Sequence, residues 1–282
     1  MMMLLLAAAV RGVSDRAYMN AHGARMTCRP GIKGSFVHPE RDGHYLLKRL
    51  MQRVRNKEPF AWVHWGDGEM IRAAREPKYA SLMHTWPRMA DQHMYAAIAV
   101  WWMCGSFESQ WNMHALSNYT YLDYVYLCMG DPRDHDMMRH RKAGVKGWIV
   151  EAHAARRNVV VIGPSFLRSS KSYLHYIDYY DTPNPIDWQS VVHILNFIRR
   201  QTAPDIIFAV MAGTSAKYII TKAYAENPNH TFIDVGSALD PYSGVASRGQ
   251  DVKEYCNAEA THAHLYDGLQ WMADDLCVHH EI

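Results

Sequence analysis

The spacing of hydrophobic residues along this chain predicts buried strands that alternate with helices. Four short runs are almost continuously apolar, at residues 61–65, 159–162, 206–210 and 232–235. Strands without polar alternation are typical of sheets that are buried on both faces, and helices between such strands indicate parallel pairing. The sequence therefore predicts an α/β fold in which a mostly parallel sheet is flanked by helices.

Other segments repeat their apolar residues at helical spacing. Leu46, Leu47, Leu50 and Val54 predict a helix that begins near residue 44. Asp187 is a candidate N-cap for a second amphipathic helix, because an aspartate side chain can accept a hydrogen bond from the first helical turn. Further helices are predicted over residues 89–103, 137–155 and 217–225, and a further strand over 124–129.

Length and composition suggest a single large domain. Residues 1–43 are rich in Gly, Arg and small side chains without a sustained period, so we predict an N-terminal arm there and one α/β domain over 44–282. Thirty basic and 28 acidic residues leave a formal charge of +2, which gives no indication of nucleic-acid binding. The 9 Trp and 17 Tyr residues suit stacking on a base or a sugar, although an aromatic-rich core explains most of them equally well.

The cysteines and the first ten residues indicate the cellular compartment of the protein. Five widely scattered cysteines show no Cys-x-x-Cys spacing, which argues against a disulfide framework and favours a reducing, cytoplasmic compartment. The apolar start of the chain is too short to span a bilayer, so we predict a soluble protein without a membrane span. Because Ala7 to Ala9 resemble a cleavage site, a cleaved signal peptide is the alternative.

The most informative motif is Gly66-Asp-Gly-Glu69, which directly follows the first predicted strand. Asp67 and Glu69 are two residues apart at a strand end, where two carboxylates can converge on one hard cation or on a pair of sugar hydroxyls. Glycines on both sides of Asp67 permit a sharp turn and a close approach by a ligand. The alternative is an ordinary acidic turn, with a glutamate at the start of the next helix.

Ligands of parallel sheets bind at the carboxyl ends of the strands, in the loops that lead to helices. Here those loops are residues 66–69, 163–165, 212–215 and 236–240. Gly213, Thr214 and Ser215 precede a helix whose first amide groups can bind a phosphate, with Lys217 one turn further on. A plain connection capped by Thr214 or Ser215 is the alternative.

Together these segments resemble the GT-D fold glycosyltransferases. Trp65-Gly-Asp-Gly-Glu69 is similar to the Arg-Tyr/Phe-Gly-Asp-Gly-Glu signature of that family. Val159-Val-Val-Ile-Gly-Pro164, Phe208-Ala-Val-Met-Ala-Gly-Thr-Ser-Ala-Lys217 and Phe232-Ile-Asp-Val-Gly-Ser-Ala-Leu-Asp240 follow in the family's order, with Arg248 just beyond. The resemblance covers roughly residues 44 to 250.

The resemblance implies a Rossmann-like domain that transfers a sugar from a nucleotide-sugar donor, with a UDP-sugar favoured, to a glycan or glycoconjugate acceptor. It also implies that Asp67 and Glu69 bind Mn²⁺ or Mg²⁺ near the donor diphosphate. The residues expected to bind the nucleotide sugar are Asp67, Gly68, Gly163, Ser165, Gly213, Thr214, Ser215, Lys217 and Arg248.

The predicted catalytic residues are three acids at strand ends: Glu69, Asp234 and Asp240. An acceptor hydroxyl needs a general base or close positioning, and a carboxylate at the carboxyl edge can supply either. Asp234 can instead be a core-edge residue that bonds to loop amides, and Arg248 can be a solvated surface residue. These alternatives remain open at the level of sequence.

Two departures from the family pattern matter. His64 stands where the family usually has arginine, and the loop Gly213-Thr-Ser-Ala216 lacks the family's proline. The first departure motivates an alternative function, a non-catalytic protein that binds nucleotides or carbohydrates. Another nucleotide-dependent transferase, such as a methyltransferase, is disfavoured because residues 159–163 lack a glycine-rich adenosine loop and because Asp67 and Glu69 would have no role.

Overall fold

Seven strands form one parallel sheet. The structure is a computed structural model that describes residues 44–65, 76–77, 94–98, 121–123, 148–149, 151–236, 239–240, 243 and 245. The strands are β1 (Ala61–Trp65), β2 (Met94–Ile98), β3 (Tyr121–Asp123), β4 (Val159–Gly163), β5 (Asp178–Asp181), β6 (Ile207–Val210) and β7 (Thr231–Asp234). Their order is β3-β2-β1-β7-β6-β4-β5, and every neighbouring pair is parallel. The predicted fold class, a Rossmann-like α/β fold with a parallel sheet, is confirmed.

The central strands are apolar because they are covered on both faces. Every residue of β4, β6 and β7 is buried. The rings of Phe208 and Phe232 stack across β6 and β7, with their centroids 4.8 Å apart. A strand with one solvated face would alternate polar and apolar residues, and the absence of alternation in these strands reflects their burial.

Helices precede or follow several of the strands along the chain. They are α1 (His44–Arg55), α2 (Lys171–Leu174), which directly follows a 3-10 helix at Ser165–Ser170, α3 (Trp188–Arg199) and α4 (Ser215–Glu226). Trp148, Ile149 and residues 151–154 are also helical, as predicted for the end of the segment 137–155. Helix α4 packs on β1, β7 and α3. Within the described residues, no helix is both long and apolar enough to cross a membrane.

The predicted N-cap of α3 is confirmed. Asp187 has an extended backbone, and its Oδ1 accepts a hydrogen bond from the Ser190 backbone nitrogen at 2.7 Å and another from the Ser190 hydroxyl at 2.5 Å. These bonds satisfy an amide of the first turn that has no partner within the helix. They hold the pKa of Asp187 below its usual value. The start of α3 is therefore fixed at Trp188.

One secondary-structure prediction is wrong, and two strands, β3 and β5, were not predicted. The segment predicted as a helix over 89–103 contains β2, which pairs with β1 and β3. The alanines of β2 favour a helix in isolation, but pairing between two neighbouring strands outweighs that preference. Strand β5 was not predicted at all, because its sequence Asp-Tyr-Tyr-Asp is an exposed edge strand without an apolar run. The strand predicted over 124–129 lies outside the described residues.

The topology creates a crevice at the carboxyl edge of the sheet. The chain passes from β4 outward to β5, whereas from β6 it passes the other way to β7. Adjacent strands whose connections leave in opposite directions form a switch point, and ligands of open parallel sheets bind just beyond the carboxyl ends of such strands. The crevice therefore lies between the loops that follow β4 and β6, with β7 and β1 next in line.

Candidate functional site

Three side chains from three separate segments meet at the carboxyl edge. Asp234 is the last residue of β7, His64 lies near the end of β1, and Lys217 lies in the first turn of α4. Asp234 Oδ2 is 2.9 Å from Lys217 Nζ and 3.1 Å from His64 Nδ1. All three residues are buried, and Asp234 and Lys217 are each 1% exposed. We call this group the Asp234 cluster.

Two backbone nitrogens also lie close to the carboxylate of Asp234. Besides the two side chains, the His64 backbone nitrogen lies 3.4 Å from Oδ2, and the Gly236 backbone nitrogen donates to Oδ1 at 3.2 Å. Burial alone raises the pKa of this carboxyl group, but His64 and Lys217 outweigh burial and hold the pKa at about 2. Asp234 is therefore an anion at neutral pH and a weak proton acceptor. Its contacts are those of a core-edge residue that bonds to a loop amide.

Lys217 points to Asp234 and the loop backbone. Its Nζ lies 3.4 Å from the Gly213 carbonyl oxygen, in addition to the ion pair with Asp234. Lys217 is not a solvated helix residue, because its side chain is 1% exposed. The Asp234 carboxylate neutralises the charge of Lys217. Through its contact with the Gly213 carbonyl oxygen, Lys217 stabilises the loop between β6 and α4.

The loop between β6 and α4 turns at Gly213. Gly213 is exposed and has a φ of +51°, a left-handed conformation that glycine adopts without steric cost. Among the described residues, no atom lies within 4 Å of a Cβ built at this position. Within the described residues, the Thr214 side chain makes no capping hydrogen bond to α4, which contradicts the alternative of a Thr214 cap. Thr214 is half-buried and Ser215 is buried.

The loop after β4 faces the same crevice. Ser165 is exposed at the start of the 3-10 helix, whereas Gly163 is buried at the end of the strand. A Cβ on Gly163 would lie 2.9 Å from Leu167 Cδ1 and 3.3 Å from Met211 Cβ. Gly163 is therefore explained by close packing of this loop on the neighbouring strand, and Ser165 is the polar group that this loop offers to a ligand.

Two glycine substitutions separate packing from backbone strain. Gly163→Ala is expected to lower the free energy of unfolding by about 1–3 kcal/mol, because the methyl group would overlap Leu167. Gly213→Ala is expected to cost about 1–2 kcal/mol through its positive φ alone. Urea unfolding measures both effects. Adding Leu167→Ala should lessen the cost of Gly163→Ala, and an unchanged cost would rule out the overlap.

Asp240 is the second described acid among the predicted catalytic residues. It is 4% exposed, and its carbonyl oxygen accepts hydrogen bonds from the backbone nitrogens of Ser243 and Val245 at 2.9 and 3.0 Å. These bonds close a tight turn after β7. The turn places Asp240 in the loop that follows the Asp234 cluster.

Four predicted site residues lie outside the described residues: Asp67, Gly68, Glu69 and Arg248. The strand that leads to the first three, β1, ends at Trp65 beside β7. Strand β1 therefore ends at the same edge of the sheet as the Asp234 cluster. The roles of Asp67 and Glu69 in metal binding, and of Gly68 and Arg248 in donor binding, stay predictions.

The binding of a metal by Asp67 and Glu69 stays a prediction from the sequence. Within the described residues, no group of three His, Cys, Asp or Glu side chains can hold a metal ion. The Asp234 carboxylate already neutralises the charge of Lys217, so it has little capacity to bind a metal cation. Carboxylate oxygens suit Mn²⁺ and Mg²⁺. The donor set of the Gly-Asp-Gly-Glu motif thus fits these ions by chemistry.

His64 was not predicted as a site residue. It stood out in the sequence only as a departure from the family's arginine, yet its side chain pairs with Asp234 in the structure. The pattern that could have revealed it is a polar residue inside an otherwise apolar strand, at a position that is 6% exposed. Such a residue needs a buried partner.

A scan against protein-family models, a search of curated proteins and a search of solved structures each found no match to this chain.

The ionisation of Asp234 predicts a dependence of stability on acid. Its pKa in the folded protein is about 2, below the ordinary value of 3.8, so its contribution is present above pH 4 and is lost as the pH falls towards 2. We expect a loss of about 2 kcal/mol in the free energy of unfolding over this range. Urea unfolding at pH 7, 4 and 2.5 measures it. The difference between wild type and Asp234→Asn should shrink towards pH 2, and a constant difference would contradict the assignment.

Proposed function

We propose that this chain is a metal-dependent glycosyltransferase of GT-D type, which transfers a sugar from a nucleotide-sugar donor to a hydroxyl group of a glycan or glycoconjugate. The observation that carries the proposal is the Asp234 cluster. It joins His64, next to the Gly-Asp-Gly-Glu motif, with Lys217 of the phosphate loop and with Asp234 of the closing strand. His64, which precedes the first motif of the family resemblance, therefore meets residues of two further motifs at one point.

The proposed reaction develops negative charge on the leaving diphosphate. A divalent ion held by Asp67 and Glu69 would supply Lewis-acid stabilisation of that charge. The N-terminus of α4, at Gly213, Thr214 and Ser215, would also stabilise the diphosphate, because it is the positive end of the helix dipole. Ser165 and Arg248 complete the donor-binding set in this proposal.

The Asp234 cluster revises the roles within that proposal. Asp234 and Lys217 hold the loops in position, because a carboxylate with a pKa of about 2 is a poor general base at neutral pH. The task of accepting the acceptor's proton falls to Glu69 or Asp240. Lys217 acts on the donor through the position of Gly213, whose carbonyl oxygen it contacts.

Release of nucleoside diphosphate in the absence of an acceptor tests the proposal. We expect the purified chain to hydrolyse UDP-sugars slowly with Mn²⁺ or Mg²⁺ and to stop when EDTA is added. The matched control is Glu69→Gln, which removes a charge and keeps the shape. Lack of turnover with every nucleotide sugar and metal would overturn the proposed activity.

A binding protein without turnover is the second candidate. It is favoured by the burial of both described candidate catalytic acids, Asp234 at 1% and Asp240 at 4% exposed. This candidate predicts that UDP or a UDP-sugar raises the melting temperature by mass action. It also predicts that no diphosphate is released. The two assays together separate a transferase from a binding protein.

A further inference from the structure

A buried histidine lies at the amino edge of the sheet, opposite the candidate functional site. His230 directly precedes β7 and is 7% exposed. Its Nδ1 accepts a hydrogen bond from the backbone nitrogen of Ile206, just before β6, at 3.3 Å. The Thr231 backbone nitrogen donates to the Ile206 carbonyl oxygen at 2.9 Å. Both polar backbone groups of Ile206 are therefore bonded to the start of β7.

The hydrogen bond from Ile206 fixes the protonation state of His230. A backbone nitrogen can only donate, so Nδ1 must present its lone pair, and the single imidazole proton must lie on Nε2. A second proton would turn Nδ1 into a donor that faces another donor. The amide of Ile206, a residue that is fully buried, would then lose its partner. Protonation of His230 and this hydrogen bond therefore exclude each other.

A buried arginine joins the residues that flank this hydrogen bond. Arg157, which precedes β4, donates from Nε to the Asp205 carbonyl oxygen and from Nη2 to the Thr231 hydroxyl, each at 3.0 Å. Burial lowers the pKa of Arg157 to about 10, so the guanidinium is still a cation at neutral pH. A second positive charge on His230 would therefore form beside an existing one.

The other neighbours of His230 offer a protonated imidazole little compensation. Phe208 of β6 meets its ring edge to face, with centroids 5.6 Å apart. The carboxylate of Asp205, before β6, pairs with Lys57 Nζ at 3.4 Å, in the loop after α1. Burial lowers the pKa of His230 most, Arg157 lowers it further, and Asp205 raises it by a smaller amount. His230 is therefore held neutral in the folded protein.

We infer that the hydrogen bond between Ile206 and His230 is an acid-sensitive latch, and that protonation of His230 releases the amino ends of β6 and β7 from each other. The carboxyl ends of the two strands stay paired, because the Val235 backbone nitrogen donates to the Val210 carbonyl oxygen at 3.0 Å. The contribution of neutral His230 to stability is present above pH 6.5 and is lost as the pH falls through the lowered pKa of the folded state. The latch does not depend on the proposed function.

Hydrogen–deuterium exchange of single amides in the full chain, followed by NMR, tests the inference. After correction for the intrinsic effect of pH on exchange, the protection of the Ile206 amide should fall about three- to tenfold from pH 7.5 to pH 5.5. The upper limit is about tenfold, because a histidine with the ordinary pKa of 6.5 gains less than one proton over this range. The Val235 amide should keep its protection, since it lies at the other end of the same strand pair.

Two substitutions of His230 separate the proton from the hydrogen bond. His230→Asn retains an acceptor oxygen close to the position of Nδ1 and does not titrate, so Ile206 should be equally protected at both pH values. His230→Phe removes the acceptor, so the protection of Ile206 should be low at both. His193→Asn is the matched control, because His193 is an exposed histidine of α3, and this variant should keep the wild-type response.

Four results would overturn the inference. Equal protection of Ile206 at both pH values in wild type would show that acid does not release the amide. An equal fall at Ile206 and Val235 would show that acid loosens the whole sheet and not one edge. A fall that persists in His230→Asn would assign the effect to another titrating group. Nitrogen NMR at pH 7.5 should find the imidazole proton on Nε2, and a proton on Nδ1 would rule out the hydrogen bond itself.

Discussion

Replacement of Asp234 by asparagine is expected to lower the free energy of unfolding by about 3–5 kcal/mol. Asp234 is 1% exposed and is the acid that balances the equally buried Lys217. Removing its charge leaves an ammonium group in a low-dielectric interior without its counter-ion, and that penalty exceeds the value of an ordinary hydrogen bond. Urea unfolding at pH 7 measures the loss.

An exposed ion pair of the same chain provides the control. Arg199 and Glu226 contact each other at 2.8 Å with side chains 49% and 43% exposed. Water solvates both charges when the pair is broken, so Glu226→Gln should cost less than about 1 kcal/mol. A cost for Asp234→Asn that is no larger than this would show that the cluster is not buried as described.

A double-mutant cycle tests whether Lys217 is the reason. Lys217→Met alone leaves a buried carboxylate, whereas Lys217→Met with Asp234→Asn removes both charges. The double variant is therefore expected to be more stable than the sum of the single effects predicts, by about 1–3 kcal/mol. If the effects of the two single substitutions simply add, His64 is the main partner of Asp234. Lys217→Ala is likewise expected to cause a clear loss of stability, because it leaves the Asp234 carboxylate buried without its counter-ion.

The central strands of the sheet could be predicted because the sequence pattern of each one lies within the strand itself. Each of β1, β4, β6 and β7 is an apolar run that ends near glycine or aspartate, and burial on both faces imposes that pattern. Parallel pairing then brings the ends of these strands to one edge. The location of the candidate site follows from these two facts, and the sequence was sufficient for both.

The features that could not be predicted depend on contacts between residues that are distant in the sequence. Met94–Ile98 is a strand because β1 and β3 lie beside it, and its own alanines suggest a helix. The Asp234 cluster unites residues 64, 217 and 234, which no local pattern connects. For this reason Lys217 was predicted as a phosphate ligand, although its ammonium group contacts Asp234. Spacing indicates which residues reach an edge, but not which partner each one takes.

The second large effect concerns the Gly-Asp-Gly-Glu motif. Asp67→Asn and Glu69→Gln are each expected to lower metal-dependent turnover at least tenfold, equivalent to about 1.4 kcal/mol or more of activation free energy. Both substitutions keep the shape of the side chain and remove the charge that a divalent ion requires. Thermal unfolding without metal should match wild type, in contrast to Asp234→Asn. Steady-state release of UDP from a UDP-sugar measures the effect.

The pattern of loss assigns the two carboxylates. If both bind the metal, each variant should need a higher Mn²⁺ concentration for half-maximal activity, and EDTA should abolish wild-type turnover until Mn²⁺ or Mg²⁺ is restored. If Glu69→Gln loses turnover while its Mn²⁺ affinity is unchanged, Glu69 is the proton acceptor that Asp234, with its pKa near 2, is not. An ordinary acidic turn predicts near-normal activity for both variants and indifference to EDTA. That result would leave the Asp234 cluster as a structural feature of a fold whose ligand binds without a metal.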